Sequence, residues 1–396
     1  MAAESARQFE ALEAQAAKLM SVFIKAGHEA VAPALIQPAD IFLECVGEEV
    51  RGRTYIFNDP DGEELCLRPD LTVPTCRLHL ARDPQARSLG RYCYNGPAFR
   101  YQPAGVAPPQ PREFRQAGIE RIGDDAREAA EAETVGLVLA AIAAAGLDQT
   151  SLRLGDLGLF HALLEAIDMP SRWRRRLAHL FWRHDRFRAE LRRLATDPAR
   201  AHGTTPNALL AEIAAAPADA EALVERHFDA NRIELVGVRT LAEVAAGLAE
   251  AAADLEARPL DHAPARLIED YVSITAPARD ATARLQKLLG PRRDGVKTAL
   301  DSFDHRLAML ANAGVDLGGA TFSAEFGRNL EYYTGFVFEV SAAGATPPGM
   351  TKARTVAGGG RYDGLMRAVG APRDVPAVGA AIHTERLLAV VQGARA

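Results

Sequence analysis

The residues best suited to chemistry lie in four short segments that are far apart along the chain. In the first, 65–75, Asp70 and Thr72 are two positions apart, so an extended chain would place a carboxylate and a hydroxyl on the same face. Such a pair can hold an ammonium group. A strand-end turn with a surface ion pair explains the same residues, and for this segment alone we favour that interpretation.

The second segment, 94–123, has two predicted strands around a proline-rich loop. Arg100 lies on one strand, and Gln116 and Glu120, four positions apart, face the same way on the other. An arginine can bind a carboxylate or a phosphate through two parallel hydrogen bonds, and a nearby glutamate can accept from a cation or from an imidazole N–H. An exposed hairpin with solvated charges is an equally good explanation of this segment alone.

The third segment, 326–340, reads as an aromatic strand preceded by Arg328. We expect Tyr332 and Tyr333 to point to opposite faces of that strand. Gly335 interrupts the strand, as glycines often do where a ligand approaches the backbone closely. Packing of aromatic side chains in the core explains one of the tyrosines, but not both together with the arginine.

The fourth segment, 356–365, has three consecutive glycines at 358–360, followed by Tyr362. The phosphate-binding pattern GxxxxGK[ST] is absent, so the segment is not a P-loop. Three glycines at a strand end permit backbone conformations that other residues do not tolerate. A glycine-rich turn is the alternative interpretation.

The elements that must position these segments are strands near both ends of the chain and helices in the middle. Apolar residues at spacings of three and four predict a helix over 9–23, with a stop at Gly27. We predict an α+β fold with a mostly antiparallel sheet flanked by helices. Residues 1–160 and 305–396 would form one discontinuous core, and 161–304 an all-helical insertion.

Composition and charge restrict the class of protein. The chain of 396 residues has a net charge of -6 and is 48% hydrophobic, which excludes a disordered chain and a polycation that coats nucleic acid. No apolar run reaches the about 18 residues that a membrane span needs, and the first residues lack a signal peptide's apolar stretch, so we expect a cytoplasmic protein. The 4 cysteines show no CxxC pair and no zinc spacing, which predicts reduced thiols and no metal.

Taken together, the segments resemble the catalytic core of histidyl-tRNA synthetase, a class II aminoacyl-tRNA synthetase. The resemblance lies in AGHEAVAPALIQP (26–38), RPDLT (68–72), FR (99–100) with EFRQAGIE (113–120), GRNLEYYTGFVFE (327–339), GGRYDGL (359–365) and AVGAAIHTERLL (377–388). RPDLT stands where the family has RPE-x-T, and FR…EFRQAGIE stands where it has FR…QFHQ-x-G-x-E. The pair YYTG-x-VFE and GGRYDGL is highly specific for the histidine branch, and the resemblance spans nearly the whole chain.

This resemblance implies a histidine-binding pocket. The α-ammonium of the ligand would be held by Asp70, Thr72 and Gln116. Its carboxylate would be held by Arg100 and Arg328, and its two imidazole nitrogens would be bonded by Glu120 and Tyr333. The rest of the wall would be lined by Leu330, Tyr332 and Tyr362. These residue types agree with the ligand, because a zwitterion needs acceptors and a guanidinium, and an imidazole needs an acceptor and a donor.

The sequence departs from the synthetase pattern where ATP and tRNA would bind. Gln102 stands where the family has a glutamate near the adenine, and His383 stands where it has a glycine. The loop from 101 to 111 carries no charge. The chain also ends ten residues after Arg386, without the anticodon-binding domain of a synthetase. We therefore expect a degraded ATP site, retaining Arg386, and no catalytic residue.

One synthetase-like family combines these features, the regulatory subunits of ATP phosphoribosyltransferase, the first enzyme of histidine biosynthesis. The resemblance implies a non-catalytic subunit that a short-form catalytic subunit requires and that contributes to feedback regulation by L-histidine. It implies no cofactor, and a homodimer within a hetero-octamer. We expect neither tRNA nor a membrane as a partner.

Two alternatives remain open at this point. A truncated histidyl-tRNA synthetase that activates histidine with ATP is one, because Arg100, Arg328 and Arg386 are retained. An RNA-binding module is the other, because the segment 171–193 is basic, aromatic and helical. For that segment we favour a helix that packs one face and exposes solvated arginines on the other. A contact with the catalytic subunit is a further alternative.

Overall fold

The structure is a computed structural model that describes residues 5–45, 47–102, 111–200, 207–235, 240–290, 294–328, 330–343 and 354–393. Most of the uncharged proline-rich loop, residues 103–110, lies outside these ranges, so the expectation about it stays a prediction. The chain forms two compact units, one of Met1–Ala162 with Ser273–Ala396 and one of Leu163–Val272.

The strands of the described residues belong to the first unit. In chain order they are β1 (Glu29–Ala30), β2 (Ile36–Pro38), β3 (Tyr55–Asn58), β4 (Glu64–Leu67), β5 (Gly90–Phe99), β6 (Glu113–Ile122), β7 (Thr150–Asp156), β8 (Thr275–Pro277), β9 (Thr321–Ser323), β10 (Phe336–Ala342), β11 (Thr355–Arg361) and β12 (Ala377–His383). Strands β2, β4 and β3 form a small antiparallel sheet. The others form the main sheet, in the order β1-β5-β6-β12-β11-β10-β7-β9-β8.

The main sheet is mixed. Its middle, from β5 through β6, β12, β11 and β10 to β7, is antiparallel, whereas β1 runs parallel to β5 and β9 runs parallel to β7. The expectation of a mostly antiparallel sheet missed these two parallel pairs. Strands β1 and β9 have only 2 and 3 residues, which is too short for a periodic pattern to reveal them.

The helices of the first unit pack around this sheet. They are α1 (Ala6–Lys25), α2 (Ala39–Cys45), α3 (Glu48–Arg51), α4 (Thr72–Arg82), α5 (Arg127–Ala144), α6 (Leu157–Glu165, which runs into the second unit), α13 (Ala278–Leu289), α14 (Asp294–Asn312), α15 (Leu365–Ala368) and α16 (Thr384–Gly393). Helix α5 contacts α1, α14 and β12 and joins these elements. Within the part of the chain that the structure describes, no helix is long and apolar enough to cross a membrane.

Helix α1 forms where its apolar spacing predicts it. Leu12, Leu19 and Phe23 are buried along one face. Ser5 caps the amino end in a capping box with Gln8, which satisfies backbone N–H groups of the first turn. Gly27 ends the helix with a positive φ of 84°, a conformation that glycine adopts without strain. The predicted helix over 9–23 is confirmed.

Among the described residues of the second unit, the regular elements are all helices. They form α7 (Ser171–Leu180), α8 (His184–Thr196), α9 (Asn207–Ala215), a short 3-10 helix (Pro217–Asp219), α10 (Ala220–Asn231), α11 (Leu241–Ala252) and α12 (His262–Val272). The expected insertion over 161–304 is wrong at its carboxyl end. Strand β8 joins the main sheet, and α13 and α14 belong to the first unit. The apolar period of a helix shows that it has a buried face, but not which core covers that face.

Three of the four cysteines have described side chains. Cys66, Cys76 and Cys93 are buried and reduced. Burial raises the pKa of the Cys66 thiol to about 12 and that of Cys93 to about 11, so both thiols stay protonated at neutral pH. The side chain of Cys45 lies outside the described part.

Candidate functional site

Strand β6 places the two polar residues at the centre of the site. Gln116 and Glu120 lie on one face of the strand and are both buried. Glu120 accepts hydrogen bonds from Thr72 Oγ1 at 2.7 Å, from the Tyr94 hydroxyl at 2.8 Å, and from the Tyr362 hydroxyl. Burial raises the pKa of Glu120 to about 7, although the three hydroxyl donors oppose the shift. A carboxyl group thus titrates near neutral pH inside the site.

Asp70 and Thr72 reach the same place, but not on an extended chain. The backbone turns after β4, and Thr72 is the first residue of α4. Asp70 Oδ1 accepts from the backbone N–H of Val73 at 3.1 Å, in the manner of a helix cap. The favoured interpretation as a surface ion pair is wrong, because Asp70 is only 3% exposed. Its neighbour Arg68 is also buried and donates to the Pro97 carbonyl at 2.8 Å.

Three arginines of the first unit approach this region. Arg100 follows the end of β5, donates through Nε to the Pro69 carbonyl at 2.9 Å and lies 5.3 Å from the ring of Phe114. Arg328 Nη1 lies 3.4 Å from the Phe338 carbonyl, and Arg386 lies on α16. Burial, together with the neighbouring positive charges, lowers the pKa of Arg100 and of Arg386. The positive charges of these three arginines favour the binding of an anionic group.

The tyrosines are not arranged as the sequence suggested. Strand β10 begins only at Phe336, so Tyr332 and Tyr333 lie in the turn before it. They do not point to opposite faces, since their rings lie 4.8 Å apart and both are within 6.5 Å of the ring of Tyr362. Leu330 packs against the same cluster. Aromatic core packing therefore involves both tyrosines, and the backbone N–H of Thr334, bonded to the Arg361 carbonyl at 2.8 Å, holds their turn in place.

The glycines serve the site by leaving space. Residues 358–360 lie within β11 and not in a turn, and none of them has a positive φ. A Cβ atom on Gly358 would collide with the guanidinium of Arg328, and one on Gly379 of β12 would collide with the carboxylate of Glu120. The expectation that the glycines provide unusual backbone conformations is wrong. Sequence reasoning missed Gly379, whose only signal was a small residue inside an apolar strand.

The structure also describes two residues that differ from the synthetase pattern at the ATP site. Gln102 is half-buried beyond β5. His383 ends β12, and its ring lies 5.6 Å from that of Phe114. Burial and the nearby Arg386, Arg100 and Arg328 lower the pKa of His383 well below its usual value, so its ring is neutral. A neutral ring thus stands beside the aromatic face that Arg100 covers.

The site retains polar atoms that the folded chain leaves unused. Asp70 Oδ2, Gln116 Oε1 and Arg328 Nε are buried and have no hydrogen-bond partner among the described residues; we call them the open pocket atoms. Such atoms cost free energy unless something bonds to them. Two acceptors and one cationic donor suit a small zwitterion. Across the described ranges, no group of His, Cys, Asp and Glu is arranged to hold a metal ion.

In the basic segment 171–193, by contrast, several arginines are paired with a buried carboxylate. Asp254 of the second unit is 1% exposed and accepts from Arg172 at 2.7 Å, from Arg176 at 2.8 Å and from Arg193 at 3.2 Å. Trp173 Nε1 also donates to it, at 2.7 Å. These arginines therefore form an interior ion network. The expectation of solvated arginines on the exposed face is wrong for them.

Comparisons with known proteins identify the family of the chain. The family model described as histidyl-tRNA synthetase matches residues 4–387. The chain is 36% identical over 378 residues to an ATP phosphoribosyltransferase regulatory subunit from Rhizobium rhizogenes, covering 94% of this chain and 96% of the relative. It is 35% identical over 376 residues to the protein of that name from Allorhizobium ampelinum, with 94% and 96% covered.

A solved structure shows the same fold. It is described as an ATP phosphoribosyltransferase regulatory subunit/histidyl-tRNA synthetase from Bacillus halodurans, and it superposes with a TM-score of 0.70 over 99% of this chain and 82% of that chain. At 18% sequence identity this likeness concerns the fold alone. The resemblance found in the sequence is confirmed by the family model.

Proposed function

The chain belongs to the histidyl-tRNA synthetase family, among the regulatory subunits of ATP phosphoribosyltransferase, and from this membership we propose how it acts. It is a non-catalytic subunit of that enzyme, in histidine biosynthesis. It binds L-histidine in the pocket over β6, assembles in the cytoplasm with a short-form catalytic subunit, and takes part in feedback regulation by histidine. The helical second unit is an insertion into the synthetase-like core.

The open pocket atoms are the observation that carries the proposal. Asp70 Oδ2 and Gln116 Oε1 would accept from the α-ammonium of histidine, together with the hydroxyl oxygen of Thr72, which itself donates to Glu120. Arg328 and Arg100 offer guanidinium groups to the carboxylate. Glu120 and Tyr333 would bond the imidazole nitrogens, and Leu330, Tyr332 and Tyr362 would line the remaining wall. The ammonium would meet the buried Asp70, and the carboxylate would meet the half-buried Arg100 and Arg328.

The adenine side of the site supports a subunit without synthetase chemistry. His383 lies beside Phe114, and Gln102 replaces the glutamate of the synthetase pattern. A neutral imidazole ring next to the Arg100–Phe114 stack reduces the space and the polarity available to a purine. Histidine could therefore bind without being adenylated.

The assembly we propose is a homodimer within a hetero-octamer. The segment that resembles the first synthetase motif exposes large apolar side chains, with Leu35 44% and Ile36 50% exposed. In the same small sheet, Ile56 is 40% and Phe57 is 38% exposed. The strand register places Ile36 and Phe57 on the same face of this sheet. Exposed apolar residues that share a face mark interaction surfaces, and a second copy of the chain is the occupant that we propose.

The test combines this chain with a short-form catalytic subunit. We expect the two chains to co-elute, phosphoribosyltransferase activity to require both, and histidine to inhibit the complex. Asp70→Asn removes a pocket charge and should keep assembly and activation while weakening the response to histidine. Asp61→Asn, in the exposed turn before β4, is the matched control. Two chains that elute separately, with no activation, would contradict the proposal.

A truncated synthetase is the second candidate, because Arg100, Arg328 and Arg386 are all present near the pocket. It predicts exchange between ATP and labelled pyrophosphate that depends on histidine. The regulatory function predicts no such exchange by the purified chain. The exchange assay therefore separates the two candidates with a single protein preparation.

A further inference from the structure

The back of the pocket is connected to a second cluster of charged residues. Along β11, Gly358 and Gly360 face Arg328 and the ring of Tyr333, so the side chain of Arg361 leaves the strand on the opposite face. There Arg361 Nε donates to Glu131 of α5. The next residue, Tyr362, donates its hydroxyl to Glu120 inside the pocket. Two adjacent residues thus bond to carboxylates on opposite sides of the sheet.

Arg361 also fixes the two turns that carry the pocket tyrosines. Its Nη1 donates to Asp363 at 2.8 Å and its Nη2 to the Arg127 carbonyl at 2.9 Å. Its own carbonyl accepts from the backbone N–H of Thr334, the residue after Tyr333, at 2.8 Å. The positions of Tyr333 and Tyr362 therefore depend on where Arg361 is held.

Glu131 holds Arg361 from a fully buried position. It is 0% exposed, and its second oxygen accepts from Arg306 of α14. Arg306 in turn donates to Asp156 at the end of β7. One carboxylate therefore joins α5, α14 and β11, and both arginines would face each other without a shared anion if that carboxylate lost its charge.

We propose that Glu131 is a positioning residue of the pocket, which holds Tyr362 and Tyr333 in place through Arg361 and links occupancy of the pocket to α14. The inference rests on the proposed binding of histidine at this site. Loss of the charge on Glu131 leaves the Arg361 side chain held only by Asp363 and the Arg127 carbonyl, and the two turns then shift. Tyr362 no longer fixes Glu120, and the ligand meets a displaced wall. The linkage is reciprocal, so a bound ligand also stabilises the junction of α5 with α14.

The test compares two variants that each remove one buried carboxylate from an arginine. Glu131→Gln removes the negative charge that Arg361 and Arg306 share, whereas Asp156→Asn removes only the charge that faces Arg306 and keeps the Oδ1 that caps Leu159 at 3.1 Å. We expect Glu131→Gln to weaken histidine binding ~10-fold or more in calorimetry, and Asp156→Asn to change it less than ~3-fold at a similar loss of thermal stability. Equal effects of the two variants on histidine affinity would overturn the proposal.

A second measurement is independent of the ligand. In hydrogen exchange of the ligand-free proteins, Glu131→Gln should speed exchange in 330–335 and 361–365, and Asp156→Asn should leave both segments protected. If wild-type protein does not bind histidine, the proposed ligand is wrong, but the exchange pattern still decides the role of Glu131. Unchanged exchange in both segments would refute that role. If Glu131→Gln does not fold, Glu131→Asp takes its place, with the same order of effects expected and the same contradicting result.

Discussion

Two buried polar clusters of this protein are built from the same residue types and differ in one respect. In the second unit, Asp254 and Glu190 are 1% and 2% exposed and bond to Arg172, Arg176 and Arg193. In the pocket over β6, the open pocket atoms of Asp70, Gln116 and Arg328 remain unused. The first cluster is complete within the folded chain, whereas the second leaves hydrogen-bonding atoms that the proposed ligand would satisfy.

The difference shows how a structural charge cluster is distinguished from a binding site. Paired interior charges fix how helices pack, and removal of one partner is costly because the other stays buried. Unpaired interior atoms cost stability in the empty protein, and a ligand recovers that cost. The arginines of segment 171–193 therefore indicate packing, whereas a few polar atoms over β6 indicate function.

The largest effect is expected when the complete cluster is broken. Asp254→Ala leaves three buried or half-buried arginines without their shared carboxylate, which should reduce the free energy of unfolding by about 3–5 kcal/mol. Denaturant unfolding measures the loss. Histidine affinity of the folded protein should stay unchanged, because the pocket lies in the other unit. A stability change below about 1 kcal/mol would mean that the network does not hold these helices together.

The next prediction concerns a variant that should lose histidine affinity without losing stability. Asp70→Asn should weaken histidine binding by about 1–3 kcal/mol, since the ammonium loses a charged acceptor. The same change should leave stability equal or higher, because burial raises the pKa of Asp70 and makes its charge costly in the empty pocket. Calorimetry and denaturant unfolding of one variant check both parts. Parallel losses of affinity and stability would contradict the comparison.

The pH dependence of Glu120 gives a third test. Its pKa is raised from 4.5 to about 7, so the folded protein binds this proton more tightly than the unfolded chain does. The protonated carboxyl makes its full contribution to the free energy of unfolding below pH 4.5. This contribution, up to roughly 3 kcal/mol, is lost as the pH rises through 7. Glu120→Gln lacks this titration, so its stability relative to wild type should rise between pH 5 and pH 8. A constant difference over that range would show that Glu120 does not titrate there.

The smallest effect concerns an exposed arginine on the same helix as the interior ones. Arg175 pairs with Glu250 at 2.5 Å, and its side chain is 64% exposed. Arg175→Ala should change the free energy of unfolding by less than about 1 kcal/mol, because solvent screens such pairs. Comparing the free energy of unfolding of this variant with that of Asp254→Ala separates the effect of the buried ion network from the effect of the exposed charges on α7. Equal losses in the two variants would remove the distinction.

Local patterns predicted what depends on local physics. The period of α1, its stop at Gly27 and the strands β5 and β6 follow from apolar spacing and turn residues. The common face of Gln116 and Glu120 followed from strand alternation alone. The family resemblance also linked segments 65–75, 94–123, 326–340 and 356–365, and the fold brings them into contact.

Long-range packing was not visible in the sequence. Thr72 bonds to Glu120, Gly358 leaves room for Arg328, and Asp254 meets three arginines. Each is a contact between residues far apart in the chain. The end of the insertion was misplaced because amphipathic helices look alike whichever core they cover. Periodicity gives the buried face of an element, and only the fold gives its neighbour.

The most direct test of the central claim is calorimetric titration of the wild-type chain with L-histidine, histidinol and imidazole propionate. Histidinol lacks the carboxylate and imidazole propionate lacks the ammonium. If the open pocket atoms bind the two charged ends of the amino acid, histidine binds and each analogue binds at least ~10-fold more weakly. Equal binding of the three compounds, or no binding of histidine, would contradict the claim.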